Sequence, residues 1–405
     1  MRVLLADAID PSTVDALTER GHECASEPKL SADDLPARIG GSEVLVVRST
    51  KVTSAAIEAA DALELIVRAG AGTNTIEVEA ASEVGIYVTN VPGRNAIAVA
   101  ELTMGLLLAI DRRIADNVAD LRTGSWNKSD YSKADGIFGK VLGIVGLGEI
   151  GFAVAERASA FGLNVRAIRK DRDEEAEERI KALGIELVDS LEDLVATSDI
   201  VSIHVPATPE TESMFDAQLL DRMKEGAILL NTSRGDIVDD DALLDALETR
   251  GLRAGLDVYP DEPGSGATDW SSKLAQHPNV VGTHHIGAST TQAQKAVAEG
   301  VVEIIDAFVR GEILNCVNLA PTRLGTHTLH VRHFDRVGVL AGVFDILRRR
   351  ELNVEQMENR VFEGRNAAVA TIDVVGEVGP DLIEALEGLE DVIHVSAVPT
   401  ERGRS

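Results

Sequence analysis

The sequence is short of the features that would place it in a membrane, in an oxidising compartment or on nucleic acid. Only two cysteines, Cys24 and Cys316, occur in 405 residues, and their spacing suits neither a disulfide framework nor a structural zinc site. The longest mostly apolar segment, Ala96 to Ile110, is too short for a bilayer span and carries Glu101, so it reads as a buried helix. The opening, Met1 to Ala6, runs straight into Asp10-Pro11, an N-cap with proline at the first helical position. That leaves no room for an export signal and points to a cytoplasmic protein. Positive charge is scarce too: 39 basic residues, ten of them lysine, face 67 acidic ones, for a net charge of −28. This excess argues against nucleic acid and anionic membranes as partners. The acidic residues are spread along the chain, without an acidic tail, which suggests a surface adapted to high salt, where screening removes self-repulsion. The plainer reading is an acidic protein of ordinary salt.

At 405 residues the chain exceeds what one core usually organises, so two or three domains are expected. Short apolar strands alternate with helices at the start: Val3 to Ala6, Val44 to Arg48, Leu65 to Arg68 and Tyr87 to Asn90, with helices after Pro11 and from Ser54. That alternation implies a parallel sheet. A long apolar helix from about Asn95 leads to further strands at Val141 to Val145, Val165 to Ile168, Ile200 to His204, Ala227 to Asn231, Gly255 to Val258 and Val280 to Thr283. A helix from about Thr290 to Arg310 completes the first domain, and Pro321, within Asn318 to Thr322, marks a linker. The tail spells β-α-β-β-α-β, with strands at Thr328 to Arg332, Val354 to Phe362, Ala367 to Val375 and Val392 to Val398 and helices at Gly338 to Arg350 and Asp381 to Leu389. That is the ferredoxin-like plan. The expected fold is α/β, with two doubly wound parallel-sheet domains, residues 1–95 with 289–320 and residues 96–288, followed by a ferredoxin-like domain at 325–400.

The most informative motif is Gly146-Leu147-Gly148-Glu149-Ile150-Gly151, which follows the apolar run Val141 to Val145 and precedes a helix-forming run from Phe152 to Phe161. In that context Gly146 makes a tight turn, Gly148 admits a pyrophosphate, and Gly151 lets helix and strand approach. The helix N-terminus adds partial positive charge and free N–H donors, so the 96–288 domain reads as a Rossmann dinucleotide-binding domain. Arg234, Glu262 and His285 come after three later strands of the same series, at the end of the sheet where ligands collect. Hydride transfer from a secondary alcohol needs a base, a cation for carboxylate and carbonyl oxygens, and a held cofactor. His285 suits the base, Glu262 suits a partner that favours its protonated form, and Arg234 suits a guanidinium fork. Singly, each reads more plainly as an ion pair, a solvated acid and a core histidine; together they favour catalysis.

These residues resemble the D-isomer-specific 2-hydroxyacid dehydrogenases, and within them the branch that oxidises 3-phosphoglycerate to 3-phosphohydroxypyruvate to open serine synthesis. The resemblance rests on Val47 to Thr53, Arg68 to Gly72, the glycine turn, His204-Val205-Pro206, Asn231 to Gly235, Leu256-Asp257-Val258 and His285 to Thr290. It implies that Arg234 and Glu262 are catalytic residues and His285 the acid/base. It also implies that Asp257 meets the nicotinamide carboxamide and that Val205, Thr232 and Ser233 line the ring. Gly70, Ala71 and Gly72 are then placed to receive the substrate carboxylate, and Arg48 and Arg68 its phosphate. The remaining cofactor contacts fall at Glu149, Ile150, His204, Pro206, Gly287 and Ala288. Formate-oxidising members carry glutamine at the position of Glu262, which argues against formate. His284 stands where the family usually has proline, so the choice between two adjacent imidazoles rests on the Ile286 to Thr290 alignment.

The strand ending at Ile168 is followed by Arg169-Lys170, where relatives that prefer NAD carry an aspartate, and this favours NADP. Asp171 or Asp173 serves an NAD ribose instead if the strand runs longer. The tail resembles an ACT regulatory domain, with His333 to Leu340 as its ligand loop; His333, Asp335 and Asn353 are the expected L-serine contacts, and the enzyme is expected to be a homo-oligomer, dimer or tetramer. Asp335 and Val337 replace the usual asparagine and proline, so a pairing module without effector is the other reading. Two further functions stay open, a glyoxylate or hydroxypyruvate reductase and a non-enzymatic nucleotide-sensing partner protein.

Overall fold

The computed structural model describes residues 1–263, 269–320 and 325–400. The chain divides into two compact units, Met1–Asn318 and Leu319–Ser405. Pro321 and Thr322, part of the expected linker, lie outside the described residues.

The first unit holds two parallel sheets. One is built from β1 (Arg2–Leu5), β2 (Glu23–Ser26), β3 (Val44–Val47), β4 (Leu65–Arg68) and β5 (Tyr87–Asn90), in the order β2-β1-β3-β4-β5. The other runs β12-β11-β10-β9-β6-β7-β8 and contains β6 (Val141–Val145), β7 (Asn164–Ile168), β8 (Glu186–Val188), β9 (Ile200–Ile203), β10 (Ile228–Asn231), β11 (Arg253–Leu256) and β12 (Val280–Gly282). Its winding reverses between β6 and β9, the crevice where doubly wound sheets bind ligands. Central strands such as β3, β9 and β10 are buried at every residue, because helices cover both faces and only continuous apolar runs tolerate that.

Two strands were not expected from sequence. Both β2 and β8 lie at sheet edges, fully bury none of their side chains and carry polar residues, so they show neither an apolar run nor clean alternation. The helix after the glycine turn spans Glu149–Ala160 and is capped by Gly148, three residues earlier than the apolar pattern suggested. β11 also ends at Leu256, which leaves Asp257 in the loop beyond.

Two helices decide which sheet each part of the chain serves. Ala96–Arg112 buries Ala100, Leu106, Leu107 and Ile110 in the core of the second sheet. Thr291–Val309, N-capped by the Thr290 side chain, sends Val301, Val302, Ile304 and Ile305 into the core formed by Val3, Val44, Leu65 and Val67 of the first. No helix among the described residues is long and apolar enough to cross a membrane.

The second unit contains β13 (His327–Phe334), β14 (Asn353–Val361), β15 (Ala367–Val375) and β16 (Val392–Pro399) in one antiparallel sheet ordered β14-β15-β13-β16. Helices Val339–Arg349 and Pro380–Glu387 pack their apolar stripes on one face, burying Val343, Leu347, Leu382 and Leu386 with Leu329, Ile372 and Val395. This is the ferredoxin-like arrangement that the tail's rhythm predicts.

Candidate active site

The loop after β12 is tied down by one carboxylate. Asp257 is buried, 1% exposed, and accepts hydrogen bonds from the Thr283 hydroxyl at 2.6 Å, the Ile286 N–H at 2.9 Å and the Gly287 N–H at 2.8 Å. Its own carbonyl accepts the His285 N–H at 2.8 Å. These bonds hold His285 at φ 51°, a left-handed conformation that a β-carbon disfavours. Held there, His285 joins Glu262 through Nδ1, and the second Glu262 oxygen accepts the Tyr259 N–H at 3.2 Å. Burial acts to raise the Glu262 pKa, but the hydrogen bond and charge of His285, with the Tyr259 N–H and the charge of Arg234, together outweigh it and leave the carboxyl below its ordinary value. His284, next along the chain, is exposed and makes no side-chain hydrogen bond among the described residues.

Arg234 is aimed by Asn231. The Asn231 side chain accepts the Ser233 N–H at 3.0 Å and hydroxyl at 2.7 Å, and donates to the Arg234 carbonyl at 2.8 Å. The turn lies so close to the next loop that a Cβ on Gly235 would overlap the Tyr259 carbonyl carbon. Across the cleft, a Cβ on Gly72 would overlap the Arg234 guanidinium, and one on Gly70, at φ 147°, would overlap that of Arg68. The backbone is pinned by Asn90 Nδ2 on the Ala71 carbonyl at 2.6 Å and the Val91 N–H on the Gly70 carbonyl at 2.9 Å. The N–H groups of Ala71 and Gly72 have no acceptor among the described residues.

Three guanidiniums therefore share one side of the cleft. The Arg68 pKa is lowered to about 10, first by burial and then by the positive charges of Arg234 and Arg48, with Asp7 opposing. Its Nε is enclosed and unpartnered. Asp7 was not singled out from sequence, yet one of its oxygens accepts the N–H groups of Arg48, Ser49 and Thr50 at 2.6, 3.0 and 3.0 Å. Its position just beyond β1 is the signal that could have found it, since the other site residues also follow strand ends.

The glycine turn fits a dinucleotide. A Cβ on Gly146, at φ 97°, would lie 2.5 Å from the His204 carbonyl oxygen, and one on Gly151 would overlap the Gly146 carbonyl. Gly148 faces open space, and the helix it caps has no side-chain cap, so its first N–H groups are available to an anion. The Glu149 side chain turns aside to Arg179 at 3.1 Å, and Ile150 packs on the core. His204 bonds Ser202 through Nε2 at 2.7 Å, and burial pushes its pKa down to about 3, so it is neutral ahead of Val205 and Pro206. Thr232 meets the Thr103 hydroxyl at 3.0 Å, while Gly287 is buried and Ala288 follows it. Beyond β7, Arg169 reaches Asp189 at 3.1 Å, Lys170 is exposed, and Asp173 caps the next helix by accepting the Ala176 N–H at 2.8 Å.

Residues 104–287 match the family model described as D-isomer specific 2-hydroxyacid dehydrogenase, NAD binding domain. The chain is 40% identical over 331 residues to D-3-phosphoglycerate dehydrogenase of Methanocaldococcus jannaschii, covering 80% of this chain and 61% of that one. It is 40% identical over 306 residues to hydroxypyruvate reductase of Thermotoga maritima, covering 75% of this chain and 97% of the relative. The chain belongs to the D-isomer-specific 2-hydroxyacid dehydrogenase family. The crystal structure of the TT0316 protein from Thermus thermophilus is superposable on this dehydrogenase fold with a TM-score of 0.69 at 36% identity, over 78% of this chain and all of that one. Against the curated phosphoglycerate dehydrogenases it matches, this family member spans only 54 to 68% of their length.

The second unit of this family member does not gather its expected effector residues. His333 is buried, with Nδ1 at 2.8 Å from the Phe334 carbonyl and Nε2 at 3.1 Å from Asn359 Oδ1. Across β15, His333 stands level with Val361, eight residues along β14 from Asn353, or about 25 Å. Asn353 bonds Glu355 at 2.7 Å, and Asp335 is exposed.

Proposed function

We propose that the chain is a D-3-phosphoglycerate dehydrogenase, oxidising the C2 hydroxyl of 3-phosphoglycerate to 3-phosphohydroxypyruvate at the entry to serine synthesis. The observation that carries this reading is the convergence of Arg48, Arg68 and Arg234 beside the free N–H groups of Ala71 and Gly72. A simple hydroxyacid brings one negative charge, which a single guanidinium fork satisfies. A substrate with a carboxylate at one end and a phosphate at the other gives all three cations a partner.

In this reading Arg234 with the Ala71 and Gly72 amides receives the carboxylate, Arg48 and Arg68 the phosphate, and the C2 hydroxyl faces His285 Nε2. A nicotinamide cofactor, with its pyrophosphate at the glycine turn and its ring beside Val205, Thr232 and Ser233, would supply the hydride acceptor. His285 takes the hydroxyl proton through Nε2, and Glu262 on Nδ1 stabilises the imidazolium that results. Arg234 steadies the oxygen as it becomes a carbonyl. Reduction runs the same steps backwards, with the imidazolium as acid.

NADP is the favoured cofactor because Arg169 and Lys170 follow β7 directly, while Asp173 is committed to a helix cap. The ferredoxin-like unit serves as an ACT domain in this reading. Because His333 and Asn353 are far apart within one copy, a serine site using both requires two copies, which ties serine feedback to a homo-oligomer. Hydroxypyruvate reductase is the second reading, favoured by the Thermotoga maritima relative that the chain covers almost entirely.

The test is nicotinamide absorbance in molar KCl with 3-phosphohydroxypyruvate, hydroxypyruvate and glyoxylate, each with NADH and NADPH. Strong preference for the phosphorylated acid is the expected result. Equal or better use of hydroxypyruvate would move the protein to the reductase class.

A further inference from the structure

The turn that carries Glu262 lies beyond β11 in neither helix nor strand, so its position against His285 needs an external hold. Two aromatic side chains supply one. The Tyr259 ring is 7% exposed, with its hydroxyl 3.5 Å from the Leu256 carbonyl, and it fills the space that a Cβ on Gly282 would take. Its backbone is wedged against Gly235. Trp270 meets the Tyr259 ring edge-on, centroids 4.9 Å apart at 63°, and its indole N–H donates to the Asp261 carbonyl at 3.0 Å. Trp270 thus grips both the residue before Glu262 and the residue whose N–H bonds the Glu262 carboxylate.

We propose that Trp270, acting through Tyr259 and the Asp261 carbonyl, is a positioning residue that holds Glu262 in register with the His285 imidazole. The proposal rests on the functional reading above, because it assigns the held pair to proton transfer. Aromatic packing and one hydrogen bond are each modest, but they act on a short irregular turn, where small displacements of a proton-transfer pair reduce turnover steeply. Pro260 has no N–H to give, and the Asp261 carbonyl accepts from Trp270 alone among the described residues.

The experiment compares Trp270→Leu, Trp270→Phe and wild type in the full-length protein by steady-state turnover, by melting, and by NMR of the His285 Nδ1 proton in histidine-labelled protein, assigned by its loss in His285→Gln. Trp270→Leu is expected to lower kcat about tenfold with KM for both substrates within about twofold. Its Nδ1 proton signal broadens, and in the reduction direction, where His285 serves as the acid, the acidic limb of kcat moves to higher pH as Glu262 loses the bond that keeps its pKa low. Trp270→Phe, which keeps the ring contact and loses the N–H, falls between. An unchanged Nδ1 signal with an unchanged acidic limb in Trp270→Leu overturns the proposal, even if melting falls. Absence of any wild-type turnover would remove the functional reading instead, and the Nδ1 signal would still decide the clamp.

Discussion

In the proposed function, the two sheets of the first unit each offer an anion cradle at their strand ends, and the two are made of opposite materials. On the first sheet the cradle is side-chain charge: Arg48 and Arg68, joined across the cleft by Arg234, with Arg68 held against burial and against its own kind. On the second it is backbone: glycines that allow close packing, and an uncapped helix end. Backbone N–H groups at a helix start are unpaired in any helix, so offering them to a ligand costs the fold little. Crowded guanidiniums cost stability until an anion arrives. The charged cradle should therefore give selectivity among substrates, and the backbone cradle should hold a cofactor whose phosphates are always the same.

The largest effect is expected where the two cradles meet. His285→Gln should lose on the order of a thousandfold in kcat, while His284→Gln stays within about twofold, because only His285 has the Glu262 partner. Comparable losses in both would reverse that assignment. Next, Arg68→Met should raise KM for the phosphorylated substrate about a hundredfold and that for hydroxypyruvate far less. The same variant should melt no lower than wild type. The Arg68 pKa is lowered by folding, so the folded state binds the proton less tightly; the cost is fully present below about pH 10 and fades as pH rises toward 12.5. A variant that loses both substrates equally, or that melts well below wild type, would mean that Arg68 is a structural ion-pairing residue.

The backbone cradle predicts a split between its glycines. Gly151→Ala drives a methyl into the Gly146 carbonyl and should destabilise the fold by about 2 kcal/mol. Gly148→Ala meets nothing and should leave the melting temperature unchanged while weakening dinucleotide binding roughly tenfold, as measured by calorimetry. Equal melting of the two variants would deny the division of labour. The smallest effect concerns the surface as a whole: with a net charge of −28, melting should rise by at least a few degrees from dilute buffer to molar KCl. A flat series would leave the acidic composition without a role in salt tolerance.

Much of this was legible in the chain because buried parallel strands write themselves as apolar runs. Val44–Val47, Ile200–Ile203 and Ile228–Asn231 stand out for that reason, and the glycine turn sits in the context its motif demands. The edge strands Glu23–Ser26 and Glu186–Val188 are half solvated and leave no such trace. Asp7 and Trp270 escaped for another reason. Each meets backbone groups outside its own element, Asp7 the N–H groups of Arg48 to Thr50 and Trp270 the Asp261 carbonyl, and no periodic pattern marks a side chain whose partner is a loop N–H or carbonyl.

The sequence alone determined the alternation of strands and helices, the glycine turn and the kinds of side chain that follow each strand, since these depend on local periodicity and on backbone freedom. Tertiary structure decided which of two neighbouring histidines meets a carboxylate, that three arginines converge on one side of a cleft, and that His333 and Asn353 lie at opposite ends of a sheet. Those outcomes depend on how separate loops are brought together in space, and hydrogen bonds such as those of Asp257 and Asn231 exist only once the strands are in register.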